Sequence, residues 1–267
     1  MLQCIFLSHD VDWRIQGPTL EHIKARESRF DSETIRNATI INPYYNIPQY
    51  MEIEEKYGLR STFFFRTVYE NGTVVDYEHD IRSLIAGGWE IGLHSDPSSI
   101  DVKERLLKEK TQLEEISKVK ILANRVHYLK FNTQLPSKLR ELGFVYDSTV
   151  RKSKHLIESE DFGYYEFNAV LEFPVTIMDA YLFTYMHLSE DDVLPTFIKT
   201  IQQGRNLSPD FNIITVIWHD NVLRMKGGRM YRQILEYLTS QSDVKVFRGI
   251  DLAKYLTHHV FKYSNSS

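Results

Sequence analysis

The stretch FLSHDVDW, residues 6 to 13, closes an apolar run with two aspartates, Asp10 and Asp12, that have a single residue between them. A short, continuous apolar run with a polar end is typical of a parallel strand, because both faces of such a strand are covered. Two aspartates this close repel each other unless a cation or an arginine joins them. They can also accept backbone N–H groups in a turn. We favour a shared metal or partner.

Further apolar runs follow along the chain, each after a helical pattern or a polar connection. They are RSTFFFR (60–66), WEIGLH (89–94), KILANRV (120–126), LEFPVT (171–176), NIITVIWH (212–219) and VKVFR (244–248). The segments 101–118, 190–204, 228–241 and 250–259 have the apolar spacing and end signals of helices. This alternation predicts an α/β fold.

The chain is long enough to bury a full core, with 267 residues of which 42% are hydrophobic. Because no repeat or Pro/Gly-rich linker divides it, we expect residues 1–267 to form one domain with a frayed tail at 262–267. Residues 13–58 exceed what one crossover needs and are predicted to form a helical insertion over one end of the sheet. The tyrosines of this insertion are expected to be packing aromatics rather than a sugar-stacking platform: Tyr44, Tyr45 and Tyr50.

Composition argues against several kinds of partner. With 32 basic and 36 acidic residues the formal charge is −4, so no basic surface indicates nucleic acid or anionic lipid. The longest apolar runs are far shorter than the ~20 residues of a membrane span, so no membrane insertion is expected. The N-terminus lacks the features of a signal peptide, and a single cysteine, Cys4, suits a reducing compartment. We therefore expect a cytoplasmic protein.

Ionisable side chains collect where the apolar runs end. Because the carboxyl ends of parallel strands meet at one edge of the sheet, these residues are expected to converge. Each one taken alone has an ordinary explanation, such as a hydrogen-bonded loop histidine or a structural arginine. Their joint placement favours a functional site built from Asp10, Asp12, His94, Arg125, His127, His219 and Asp220.

The short segments of sequence around these residues, taken in chain order, resemble the motifs of the polysaccharide deacetylase family, the NodB-homology group of the carbohydrate esterases. The matching fragments, in chain order, are SHDVD, STFFF, EIGLHSDPS, RVHY, GFVYDST, EFPVTIMD and VIWHDN. The resemblance implies a distorted (β/α) barrel of about seven parallel strands, NodB-like, with an insertion after the first strand. It also implies a divalent metal and hydrolysis of an N- or O-acetyl group.

Two positions depart from the family pattern. The second motif should have another histidine four positions after His94, but that position is Ser98, and serine is a poor zinc ligand. The proline of the third motif is replaced by His127. We predict that His127 completes the metal site with Asp12 and His94. The alternative is that the metal is lost and His127 binds substrate.

The resemblance also implies roles for the remaining residues. Asp10 corresponds to the catalytic base and His219 to the general acid. Arg125, by pairing with Asp10, is expected to keep it ionised, and a backbone N–H near Tyr128 is expected to stabilise the oxyanion. The carboxylate that orients His219 is predicted to be Asp179 or Asp220.

Together these features predict a metal-dependent hydrolase, with zinc as the expected ion, that deacetylates an acetamido sugar. The expected substrate is an acetylated sugar or a lipid-linked glycan precursor in surface polysaccharide biosynthesis, which follows from location and resemblance alone. Two alternatives stay open. One is a catalytically inactive carbohydrate-binding barrel, which Ser98 supports, and the other is a C–N hydrolase of small cyclic amides.

Overall fold

The computed structural model describes residues 2–259, so the predicted frayed tail lies outside the described residues. The strands are β1 (Leu2–Val11), β2 (Thr62–Phe65), β3 (Val68–Tyr69), β4 (Gly72–Thr73), β5 (Glu90–Ser95), β6 (Ala123–Val126), β7 (Tyr146–Asp147), β8 (Tyr165–Phe167), β9 (Val170–Glu172), β10 (Val175–Met178), β11 (Phe211–Ile217) and β12 (Val244–Phe247). The helices are α1 (Leu20–Lys24), α2 (Ser32–Asn37), α3 (Ile47–Lys56), α4 (Glu78–Ala86), α5 (Lys103–Ser117), α6 (Leu135–Glu141), α7 (Asp179–Thr184), α8 (Glu190–Leu207), α9 (Tyr231–Ser240) and α10 (Gly249–His259). Among residues 2–259, no helix has the length and apolar character needed to cross a membrane.

One curled sheet of mostly parallel strands forms a half-barrel. Its strand order is β10-β11-β1-β2-β5-β6-β7-β9-β8, and β12 pairs with the first part of β1. Within this sheet, as far as residues 2–259 form it, only the edge strand β8 runs antiparallel to its neighbour, while β3 and β4 form a separate antiparallel pair. Since β9 is followed by β10 after Phe173 and Pro174, the chain itself brings the two ends of the sheet together. The predicted α/β architecture is confirmed.

Strand β1 lies at the centre of this sheet. Residues 2–8 pair with β11, and residues 8–11 pair with β2. Phe6 and Leu7 are fully buried, as expected for a strand covered on both faces. The carboxyl end of β1 therefore carries Asp10 and Asp12 to a point surrounded by the ends of neighbouring strands.

The predicted strand 171–176 is in fact two strands. Pro174 has no N–H to donate to a ladder, and the chain changes partners around it. The N–H of Phe173 donates to the carbonyl of Asp147, whereas the N–H of Val175 donates to that of Val150. A single strand was the wrong prediction because the apolar run continues across this change of partner.

The region 13–58 contains three short helices, α1, α2 and α3, and it is fastened to the loop after β11. Tyr50 Oη donates to the carbonyl of His219 at 3.0 Å, and Asn46 Nδ2 donates to that of Asp220 at 3.0 Å. Tyr44 and Tyr50 are buried, so their predicted packing role is confirmed. The insertion thus holds the strand end that carries His219.

Candidate active site

Asp10 and Arg125 form a buried ion pair at the floor of the site. Arg125 Nη1 donates to Asp10 Oδ1 at 2.6 Å and to Ser8 Oγ at 2.9 Å. Its Nε and Nη2 donate to the carbonyl and hydroxyl of Ser148 at 2.9 and 2.8 Å, so the guanidinium is fixed in orientation. Burial alone would raise the pKa of Asp10, but the charge of Arg125 holds it below its ordinary value. Asp10 is therefore ionised at neutral pH.

Asp12, His94 and His127 bring three possible ligand atoms within 4.8 Å of one another. Asp12 Oδ1 lies 3.2 Å from His94 Nε2 and 4.0 Å from His127 Nδ1. Ligands around a tetrahedral zinc with bonds of about 2.0–2.1 Å are about 3.3 Å apart, so the first distance fits and the second is slightly wide.

Two polar atoms of this group lack a hydrogen-bond partner among the described residues, and a cation would supply one. Asp12 Oδ1 and His127 Nδ1 are buried, and neither has a hydrogen bond to any residue among 2–259. Buried polar atoms normally have such a partner, and a divalent ion supplies one to both. The residues present therefore fit a divalent metal.

Hydrogen bonding and burial prepare the two histidines for this task. Residues His94 and Arg125 are paired across β5 and β6, and His94 Nδ1 donates to the Arg125 carbonyl at 2.9 Å. This bond directs His94 Nε2 towards Asp12. Burial, assisted by the nearby His94, lowers the pKa of His127 to about 4, so its ring is neutral as a metal ligand must be.

His219 follows the carboxyl end of β11, which pairs with β1 on the side away from β2, and it approaches Asp12 from there. Its Nε2 lies 3.5 Å from Asp12 Oδ2, and its Nδ1 donates to Asp179 Oδ1 at 2.5 Å. The backbone N–H of His219 donates to Asp179 Oδ2 at 2.7 Å. Burial alone would lower the pKa of His219, but the Asp179 carboxylate raises it to about 10. The imidazole is therefore protonated at neutral pH, with Nε2–H facing the site.

Of the two predicted partners of His219, the structure selects Asp179 over Asp220. The carboxyl of Asp220 is buried and has no hydrogen-bond partner among the described residues. Burial, followed by the charge of Asp12, raises its pKa well above the ordinary value. Asp220 is thus a buried acid beside the site whose carboxyl does not orient His219.

Tyr128 follows β6 and forms part of the rim. Its ring centroid lies 3.8 Å from that of His127, and its side chain is 80% exposed. Its φ of +61° is a costly backbone conformation for a residue with a side chain, and such strain is concentrated at functional sites. The oxyanion role of the N–H near Tyr128 stays a prediction.

Two cavities meet at Asp12 and Trp13. One of about 530 Å³ extends past His127 and Tyr128, and another of about 580 Å³ extends past His219. Asp12 is therefore reachable by a ligand larger than a single acyl group.

Sequence reasoning missed the serines that hold Arg125. Ser8 and Ser148 lie in the fragments SHDVD and GFVYDST, so a signal was present, but a hydroxyl in a motif does not show which side chain it contacts.

Ser98 was singled out correctly as a departure from the family pattern, and its Oγ donates to Asp96 Oδ1 at 2.7 Å. It therefore belongs to a tight loop and not to the group of possible ligands.

Comparison with known proteins reveals relatives by structure. No model of a known protein family matches the sequence, and no curated protein matches it. A candidate polysaccharide deacetylase from Mycobacterium smegmatis has a TM-score of 0.68 at 20% identity, covering 96% of this chain and 90% of its own. Puue allantoinase has a TM-score of 0.68 at 14% identity, covering 96% and 91%. A CE4 family pseudoenzyme from Bacillus anthracis has a TM-score of 0.57 at 12% identity, covering 94% and 66%.

The chain therefore has the NodB-like fold of the polysaccharide deacetylases, and the predicted distorted barrel is confirmed. Sequence identities this low establish the fold and not the activity. One fold supports several activities, as these three similar structures illustrate, so the activity depends on the residues of the site.

Proposed function

We propose that the protein is a divalent-metal-dependent hydrolase that removes the acetyl group of an acetamido sugar. The observation that carries the proposal is the joint presence around Asp12 of an ionised carboxylate, Asp10, and a protonated imidazole, His219. A zinc-class ion held by Asp12, His94 and His127 would polarise the acyl carbonyl and lower the pKa of water towards neutrality.

The residues of the chain divide the proton transfers between them. Asp10 Oδ1 is bound to Arg125, whereas its Oδ2 lies 3.7 Å from His94 Nε2 and faces the site. Asp10 accepts the proton of the attacking water through this oxygen as the water forms its bond to the acyl carbon. When the C–N bond breaks, His219 donates its Nε2 proton to the leaving amine. Asp179 holds the imidazolium in place for this transfer.

Asp10→Asn tests the assignment, because the amide keeps the shape of the side chain and cannot accept the proton. We expect acetate release from N-acetylglucosamine oligomers to fall by a factor of about 10²–10⁴. Metal content, measured by mass spectrometry, should stay at one ion per chain. Asp191→Asn, at an exposed position in the first turn of α8, is the control and should keep full turnover. Full turnover of Asp10→Asn would rule out its role as the base.

The substrate proposed here is an acetylated sugar or a lipid-linked precursor of a surface glycan, processed in the cytoplasm. Its support is the resemblance to deacetylases of carbohydrates together with their shared fold.

A second candidate activity is ring opening of a small cyclic amide. It is favoured by the structural match to an allantoinase, which equals the deacetylase match in TM-score. Assaying one preparation for acetate from acetylated sugars and for ring opening of cyclic ureides separates the two. If neither reaction occurs while acetylated sugars still bind, the inactive carbohydrate-binding barrel is the correct alternative.

A further inference from the structure

A cavity of about 450 Å³ opens beside His94, and most of the residues that line it are of polar or charged types. Ser98 lies in this wall. A serine there, in place of the larger histidine that the motif leads one to expect, leaves that volume to the cavity. The cavity shares Arg66 with the neighbouring one that reaches Asp12 and His127, so the two adjoin.

Three cations face this cavity with few competing partners. Arg105 and Lys108 are three positions apart on α5, on the same helix face as Gln112, and all three line the cavity. Within residues 2–259, neither Arg105 nor Lys108 has an ion pair or a side-chain hydrogen bond. Arg66, just after β2, forms an ion pair with Asp96 at 3.6 Å, a distance too long for a hydrogen bond, so its N–H groups still have no acceptor in that contact.

The two carboxylates in the same wall, Asp96 and Glu109, accept hydrogen bonds from residues 96–99 of the loop after β5. Asp96 Oδ1 accepts the N–H of Ser98 at 2.8 Å and its hydroxyl at 2.7 Å. Glu109 Oε1 accepts the hydroxyl of Ser99, and its Oε2 accepts the N–H of Asp96 at 3.1 Å. These acids therefore shape the loop, while the cations keep donors free for a ligand. The excess of cations here contrasts with the formal charge of −4 for the whole chain.

We propose that this cavity, the anion subsite, binds an anionic group of the substrate, so that the preferred substrate is an acidic acetylated glycan. The inference rests on the proposed function and names its substrate class. A carboxylate or a phosphate on the acetylated sugar or its neighbour supplies the oxygens. Arginine guanidinium groups bind both in a two-pronged geometry, and the side-chain amide of Gln112 in the same wall supplies a further N–H donor. Because His94 lines the subsite, an anion held there lies next to the reacting acetamido group.

The double charge reversal Arg105→Glu with Lys108→Glu tests the subsite. Three N-acetylated oligosaccharides of equal length serve as substrates: a neutral one, one alternating with uronate residues and one with phosphate on the sugar. We expect kcat/KM for the matching acidic oligomer to fall at least about tenfold relative to the neutral oligomer, through KM. The uronate and phosphate arms identify the source of the anion. Lys120→Glu with Lys254→Glu, exposed positions outside these cavities, is the charge-matched control and should leave the ratio unchanged.

Binding to the Asp10→Asn variant separates this inference from the proposed function. Calorimetric titration with the acidic oligomers should show a dissociation constant raised by the charge reversal, even without turnover. If the wild-type protein releases acetate and the acidic-to-neutral ratio does not change on charge reversal, the subsite fails and the proposed function stands. If the protein releases no acetate but binds acidic oligomers through Arg105 and Lys108, the subsite stands and the hydrolase proposal fails.

Discussion

The two aspartates at the end of β1 are neutralised by different groups, which gives them different chemical uses. Asp10 faces Arg125 at 2.6 Å, and a guanidinium stays charged at any physiological pH. Asp12 faces imidazoles, with His94 at 3.2 Å and His219 at 3.5 Å. A carboxylate with a permanent counter-charge stays an available base, whereas one surrounded by imidazole nitrogens is suited to share a cation with them.

Asp179→Asn should change the pH dependence of the reaction. The pKa of His219 is raised to about 10 chiefly by the Asp179 carboxylate, with smaller contributions from Asp12 and Asp10, and the amide removes the largest of these. A general acid works only while protonated, so activity falls as pH rises through its pKa. We expect the alkaline limb of the kcat/KM profile for acetate release to move down by at least about one pH unit. The acid limb, set by Asp10, should stay in place. An alkaline limb at the wild-type position would exclude His219 as the acid.

At the level of residues, the sequence predicted which side chains come together at the site better than it predicted which of them form hydrogen bonds with each other. Asp12, His94 and His127 were grouped because strand ends of a parallel sheet meet, and the structure brings them together. The partner of His219 could not be chosen, because Asp220 is its neighbour in sequence. The backbone of His219 is extended, with φ −61° and ψ 146°, and successive side chains of an extended chain point in opposite directions. Asp179, which is distant in sequence, therefore accepts the hydrogen bond of the His219 ring instead.

At the level of elements, Glu54 of α3 links the insertion to the barrel. Its Oε1 accepts His9 Nε2 at 2.7 Å, Ser61 Oγ at 2.9 Å and Tyr231 Oη at 2.7 Å, and its Oε2 accepts Trp89 Nε1 at 2.7 Å. Burial alone would raise the pKa of Glu54, but these donors, with His9 foremost, hold it below the ordinary value. One buried carboxylate thus joins four separate segments behind the site.

Removing this carboxylate should destabilise the fold. In Glu54→Ala, four buried donors lose their acceptor at once, and we expect the free energy of unfolding to fall by about 3–5 kcal/mol. Urea unfolding followed by circular dichroism measures the change. Glu55→Ala is the matched control, because Glu55 is 67% exposed and its one ion pair within residues 2–259 is with Arg60, so unfolding should be almost unaffected. Equal midpoints for the two variants would contradict a stabilising role for Glu54.

The elements that the sequence missed have a physical explanation. Strand β7 has two residues, which is too short for any periodicity to be seen. It also contains Asp147, which lies beside Glu172 of β9, and both acids are buried. Burial raises the pKa of Asp147, and burial together with Asp147 raises that of Glu172 well above its usual range. Buried acids look like surface residues in a sequence, whereas the apolar runs other than 171–176 were predicted correctly as strands.

At the scale of the whole molecule, the proposed ligands come from separate parts of the sheet. Asp12 follows β1, His94 lies in β5 and His127 follows β6. An ion bound to all three would connect strand ends that are far apart in sequence. Such an ion binds the folded chain and not the unfolded one, so its binding free energy adds to stability.

Zinc should therefore raise the melting temperature of chelator-treated protein. At a free concentration of about 100 times the dissociation constant, the added stability is about 2.7 kcal/mol, which corresponds to about 5–10 °C for a chain of this size. His127→Ala should lose most of this shift, because two ligands hold the ion far less tightly than three. His155→Ala, an exposed histidine outside the group, should keep it. Thermal melts of the three proteins with and without zinc make the comparison. If His127→Ala shows the wild-type shift, His127 is not a ligand, and the site must hold its metal without a replacement for the histidine absent at position 98.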